Sequence, residues 1–89
     1  MSGRSESPEV TLFMKTDCHL CELVEAELRS TRVAFELTTV NIETNRETYD
    51  KYWMKIPVVT IGGREVFEAR MMDWHGEWRR LLRSLLCES

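Results

Sequence analysis

The sequence predicts an α/β domain in the order β-α-β-α-β-β-α, with its four strands in one mixed sheet. Three observations carry this. A short β-prone run, Val10 to Met14, leads directly into a cysteine pair at C-x-x-C spacing and then an amphipathic helical pattern. A second β-prone run follows that helix, which is long enough to serve as a crossover, so the two strands can pair in parallel as a right-handed β-α-β unit. Two further β-prone runs flank Gly62-Gly63, the pattern of a tight antiparallel hairpin. At 89 residues the chain has room for one such domain and one core.

Met1 to Pro8 is rich in Ser, Gly and Glu and reads as a flexible tail, leaving residues 9–87 as the domain. Val10-Thr-Leu-Phe-Met14 is short and apolar enough for a buried strand. From Leu20 the apolar positions Leu23, Val24 and Leu28 recur at helical spacing among Glu22, Glu25, Glu27 and Arg29, and the pattern stops near Arg32. Glutamates early in this stretch suit a helix N-terminus. Val33 to Ile42, with β-branched and aromatic residues throughout, reads as the second strand. Glu43 to Trp53 is polar, anchored by Tyr49, Tyr52 and Trp53, and reads as a short helix capped by Thr44 or Asn45. Lys55 to Ile61 and Arg64 to Phe67 are the hairpin strands, with Pro57 at an entrance where no ladder donor is needed. In the closing segment Met71, Trp74, His75, Trp78, Leu81, Leu82 and Leu85 share one helical face. Arg79, Arg80 and Arg83 lie mostly elsewhere and read as a solvated helix end.

Composition narrows the function. Hydrophobic residues make up 43% and charged residues 30% of the chain, a globular balance. A net charge of −3 argues against nucleic acid or an acidic membrane surface as partner. No apolar run approaches the roughly 20 residues of a membrane span. The polar start shows no apolar core of a secretory signal. The chain therefore reads as a cytoplasmic protein, and as a monomer.

The three cysteines are Cys18, Cys21 and Cys87. A secreted disulfide scaffold would usually carry more, in an even number. In a reducing compartment a close pair is more often catalytic or metal-binding than structural. Cys18 falls at the first turn of the helix, where unpaired N–H groups and the positive end of the dipole favour a thiolate, the form that attacks. Cys21, one turn on, is within bonding range and reads as the resolving thiol. His19 is either a positive charge that lowers the Cys18 pKa or a solvent-facing helix residue, and Asp17 opposes the first role. A metal site is the rival reading of the pair. Tetrahedral zinc needs four ligands, and Cys87, His19 and His75 lack the spacing of a second knuckle. Cys87 reads as a helix-end cysteine without a partner, His75 as a packed or surface residue, and the tyrosines and Trp53 as packing residues.

C-x-x-C after the first strand, with Ile56-Pro57 before the third, resembles the thioredoxin fold in its compact glutaredoxin form over Val10 to Leu86. The resemblance is in particular to small glutaredoxin-like proteins whose active site reads C-H-L-C. It implies helices on both faces of the sheet and a cis Pro57 facing the cysteine pair. It also implies that Ile56 offers backbone hydrogen bonds to a peptide or glutathione. Lys15 would then lie near the thiolate and the glutathione carboxylate; the alternative is a solvated loop lysine. The chain departs from glutaredoxins in three places. His19-Leu20 replaces Pro-Tyr between the cysteines, Lys55-Ile56 replaces Thr-Val before the proline, and Phe67-Glu68-Ala69-Arg70 stands where a Gly-Gly pair and Asp hold glutathione.

The expected function is thiol–disulfide exchange. Cys18 attacks a protein or glutathione mixed disulfide, Cys21 resolves it, and glutathione or a reductase recycles the pair. The sulfurs carry the chemistry, so no bound cofactor and no metal are expected, with glutathione as the possible co-substrate. The alternative is a non-enzymatic redox sensor, or a module that docks a partner or shares a metal cluster through the same cysteines.

Overall fold

The computed structural model describes residues 8–31 and 34–87. The expected tail, apart from Pro8, and the expected start of the second strand at Val33 lie outside the described residues. The elements run β1 (Glu9–Met14), α1 (His19–Ser30), β2 (Glu36–Asn41), α2 (Arg46–Tyr52), β3 (Val58–Ile61), β4 (Arg64–Phe67) and α3 (Glu77–Cys87), with single 3₁₀ turns at Ile42–Thr44 and Ala69–Met71.

Alternation along β1 organises the packing. Side chains of a strand point to opposite faces in turn, so Val10 and Leu12 enter one core and Phe13 the other. The larger core joins Val10 and Leu12 to Val24 and Leu28 of α1, Val59 of β3, Phe67 of β4, and Trp78, Leu82 and Leu86 of α3. The smaller joins Ile42, Tyr52 and Val58, with Phe13 and Ile56 packed against them. Phe13 and Tyr52 stack with ring centroids 4.3 Å apart. Helices α1 and α3 therefore cover one face of the sheet and α2 the other.

The strand order is β2-β1-β3-β4. β1 and β2 are parallel, β1 and β3 antiparallel, and β3 and β4 antiparallel. The expected mixed four-stranded sheet with helices on both faces is present. In the hairpin, Gly62 at φ +61° and Gly63 at φ +85° supply the two left-handed central positions that its turn demands. Space is not the reason for these glycines, since an added Cβ would meet nothing within 4 Å at either.

Four elements, β2, α2, β3 and α3, start later or end earlier than the pattern predicts. β2 ends at Asn41 rather than Ile42, because the Asn41 side chain accepts the Glu43 N–H at 2.8 Å and turns the chain into the 3₁₀ turn. Asn45 is the cap of α2, accepting the Thr48 N–H at 3.0 Å. The closing helix starts at Glu77, not near Met71. Gly76 has φ +85°, which a helix cannot hold, and Asp73 accepts the N–H of Glu77 at 3.1 Å and of Trp78 at 2.7 Å. Met71, Trp74 and His75 therefore precede the helix.

The arginines of α3 also differ from expectation. Glu27 of α1 is only 8% exposed. It accepts a hydrogen bond from Arg83 Nε at 2.6 Å and faces Arg79 Nε at 3.5 Å. Arg79 and Arg83 thus tie α3 to α1, and Arg80 alone of the three fits the solvated reading. The sequence hid this because the acid lies 56 positions from Arg83 and only the fold brings them together.

Candidate active site

Chain geometry changes abruptly at Cys18. Its backbone is extended (φ −108°, ψ 104°) and α1 begins at the next residue. Its carbonyl accepts the Glu22 N–H at 3.1 Å, the first hydrogen bond of the helix. Its sulfur accepts the Cys21 N–H at 3.1 Å, filling the place that a Ser or Asp oxygen takes at an ordinary helix start. Cys18 and Cys21 are joined as a disulfide, with their Cα atoms 5.2 Å apart. Cys21 is fully buried, while Cys18 is half-buried. A reagent therefore meets the sulfur of Cys18 first. Asp17, at φ +59°, makes the turn that leads into Cys18, the residue that caps α1. Asp enters this left-handed region more readily than most residues with a Cβ.

The loop before Cys18 is braced from β2. Parallel pairing sets Met14 beside Asn41. Asn41 then donates from Nδ2 to Thr16 Oγ1 at 3.2 Å, and Glu43 Oε1 accepts the Thr16 N–H at 3.2 Å. Sequence reasoning did not single out Asn41 or Glu43. The available signal was an Asx turn at the end of a strand parallel to β1, since Asn side chains hydrogen-bond backbone two residues on.

The remaining loops of this sheet end follow from topology. Val58 opens β3 opposite Phe13, so the Ile56–Pro57 bond lies at the end of the sheet where β1 leads to Cys18. That bond is cis and Pro57 is fully buried. Ile56 is half-buried, and its N–H donates to the Tyr52 carbonyl at 3.1 Å. A bound peptide would have to displace that partner to use the Ile56 N–H. The Lys55 carbonyl accepts the Ala69 N–H at 2.9 Å, tying this loop to the segment after β4. There the chain forms a 3₁₀ turn in which Glu68 pairs with Arg70 at 3.2 Å. Lys15 and His19 are both exposed, Lys15 in the braced loop and His19 as the first residue of α1. Among the described residues, no three His, Cys, Asp or Glu side chains converge as a ligand set. The side chain of Cys87 lies outside the described atoms.

Chemically, an accessible sulfur at a helix N-terminus joined to a buried sulfur one turn inward is a thiol redox site. A comparison with curated proteins returns no match. The family model described as Glutaredoxin-like domain (DUF836) matches residues 9–85, which takes in all four strands, α1, α2 and most of α3. On that match, and with a C-x-x-C pair seated at the β1–α1 junction, the chain belongs to the glutaredoxin-like (DUF836) domain family.

Proposed function

We propose that the protein is a thiol–disulfide oxidoreductase that reduces protein or glutathione mixed disulfides in the cytoplasm. The single observation that supports this best is the pairing of an accessible Cys18 at the cap of α1 with a fully buried Cys21. The disulfide seen between them is the oxidised form, from which a reductant must first restore both thiols.

In the reduced protein, the Cys18 thiolate attacks one sulfur of the substrate disulfide. A Cys18–substrate bond forms, the substrate disulfide breaks, and the departing thiolate takes a proton from solvent. Cys21 then loses its proton and attacks Cys18 Sγ, closing the internal disulfide and releasing the second substrate thiol. Two electrons pass from the cysteine pair to the substrate. Two electrons from a pair of glutathione thiols, or from the dithiol of a reductase, reopen the pair. Amide dipoles at the start of α1 stabilise the Cys18 anion as the attacking group. Pro57 and the carbonyl side of Ile56, whose N–H is bonded to Tyr52, face the substrate backbone, Lys15 faces its carboxylate, and His19 stands next to Cys18 as the first residue of α1.

The test is replacement of Cys18 by Ser, with reduction of a small disulfide and of a protein disulfide as the assays. Both rates fall to those of the uncatalysed reaction. Activity that persists in Cys18→Ser rules the mechanism out.

A further inference from the structure

The groove between the start of α1 and the segment leading into α3 bears on which disulfides reach Cys18. Leu20 stands two residues after Cys18 in the first turn of α1 and is 45% exposed. It lines one side of a cavity of about 340 Å³ whose other walls include Met72, Trp74 and Trp78, a size within the usual range for ligand clefts. Trp74 is 91% exposed, held against the His75 ring at 4.9 Å. Trp53 and Met54, also exposed at 53% and 77%, stand in the loop leading to Ile56–Pro57. Large apolar side chains are thus left uncovered on two of the loops at the sheet end where β1 leads to Cys18.

The charged groups on the groove walls are already engaged. Both oxygens of Asp73 accept backbone N–H groups of α3. Arg79 faces Glu27 at 3.5 Å and lies over the Trp78 ring at 4.6 Å. On these walls a carboxylate meets only Arg79, whose Nε already faces Glu27, whereas an apolar side chain loses only water. The occupant must also be delivered to Cys18, because it is carried there by the mixed disulfide. An extended chain advances about 3.3 Å per residue, so residues within two or three positions of the substrate cysteine reach over Leu20.

We infer that the preferred substrate is a protein disulfide with an aromatic or large aliphatic residue close to its cysteine, seated between Leu20 and Trp74. This rests on the disulfide-reducing function proposed above. Trp74 and Leu20 are then specificity-determining residues, recognising the substrate chain by burial rather than by charge.

The experiment uses the full chain, reduced beforehand, with four probes: a peptide disulfide flanked by Phe, the same peptide flanked by Ser, oxidised glutathione and hydroxyethyl disulfide. The second-order rate constant for the Phe-flanked peptide exceeds that for the Ser-flanked one by about tenfold or more, the scale of apolar pocket discrimination. It also exceeds that for oxidised glutathione. In Trp74→Ser, whose exposed side chain is outside the core, the Phe-to-Ser ratio falls toward one, and Leu20→Ser moves it the same way. Equal rates for the two peptides, faster turnover of oxidised glutathione, or a ratio that survives in both variants overturns the inference while leaving disulfide reduction intact. Failure to reduce any of the four, hydroxyethyl disulfide included, overturns the underlying function and the inference with it.

Discussion

Cys18 has extended dihedrals and its successor is helical, so its sulfur sits where several backbone N–H groups converge without helical acceptors. The Cys21 N–H already points at that sulfur, and a charged acceptor gains more from such a donor than a neutral one. In the reduced protein the Cys18 thiol is therefore expected to titrate below the free value of about 8.5. Thiolate absorbance followed against pH measures this, and an ordinary or raised value contradicts the helix-terminus account. The cysteine pair and its place at the helix start were legible from spacing alone, because C-x-x-C at a strand-to-helix junction constrains both sulfurs locally. Asn41 and Glu43 were not, because their purpose depends on a parallel neighbour that only tertiary structure supplies. Nor did the residue types reveal that the Ile56 N–H is already bonded to the Tyr52 carbonyl.

The start of α3 shows how periodicity misleads at the scale of one element. Met71, Trp74, His75 and Trp78 fit a helical face in sequence, yet Gly76 and Asp73 break the pattern and begin the helix at Glu77. The resulting helix buries Trp78, Leu82 and Leu86 and leaves Leu81 exposed, a face turned from the one expected. Desolvation pushes the Asp73 carboxyl up, but hydrogen bonds from the backbone of Glu77 and Trp78, with those of Asp73 and His75, outweigh it and hold the pKa below the ordinary value. A lowered carboxylate pKa means that the charged form is favoured by folding. Its stabilisation is fully present above the unfolded value of about 3.9 and is lost as pH falls through the lower folded value. Asp73→Ala accordingly melts at a lower temperature than the wild type near neutrality, and the gap narrows in acid below about pH 4. Thermal melts of both proteins from neutral pH downward test this; a gap that stays constant or widens in acid contradicts it.

At the scale of the whole molecule, one sheet end gathers the loops after β1, β2 and β4 and the loop before β3, and Cys18 sits among them. This arrangement was legible because each ingredient was local: a crossover helix of the right length, a Gly-Gly turn, and strands with β-branched residues. What joins α1 to α3 was not, since Glu27 and its two arginines come from separate helices. Glu27→Ala is expected to lower stability by about 1–2 kcal/mol, less than for a fully buried pair because the freed arginines can return to water. Denaturant unfolding reads this directly, and an unchanged midpoint would mean that the pairing contributes nothing. No helix among the described residues is long and apolar enough to cross a membrane.

The most direct test of the account is to trap the intermediate. Cys21→Ser, reduced and then exposed to a peptide disulfide, retains the attacking sulfur but lacks the one that releases the substrate. Mass spectrometry of the digested protein is expected to find the peptide bound through a single disulfide to Cys18. Peptide attached to Cys87 instead, or no adduct under conditions where the wild type reduces the peptide, would contradict the assignment of Cys18 as the attacking sulfur.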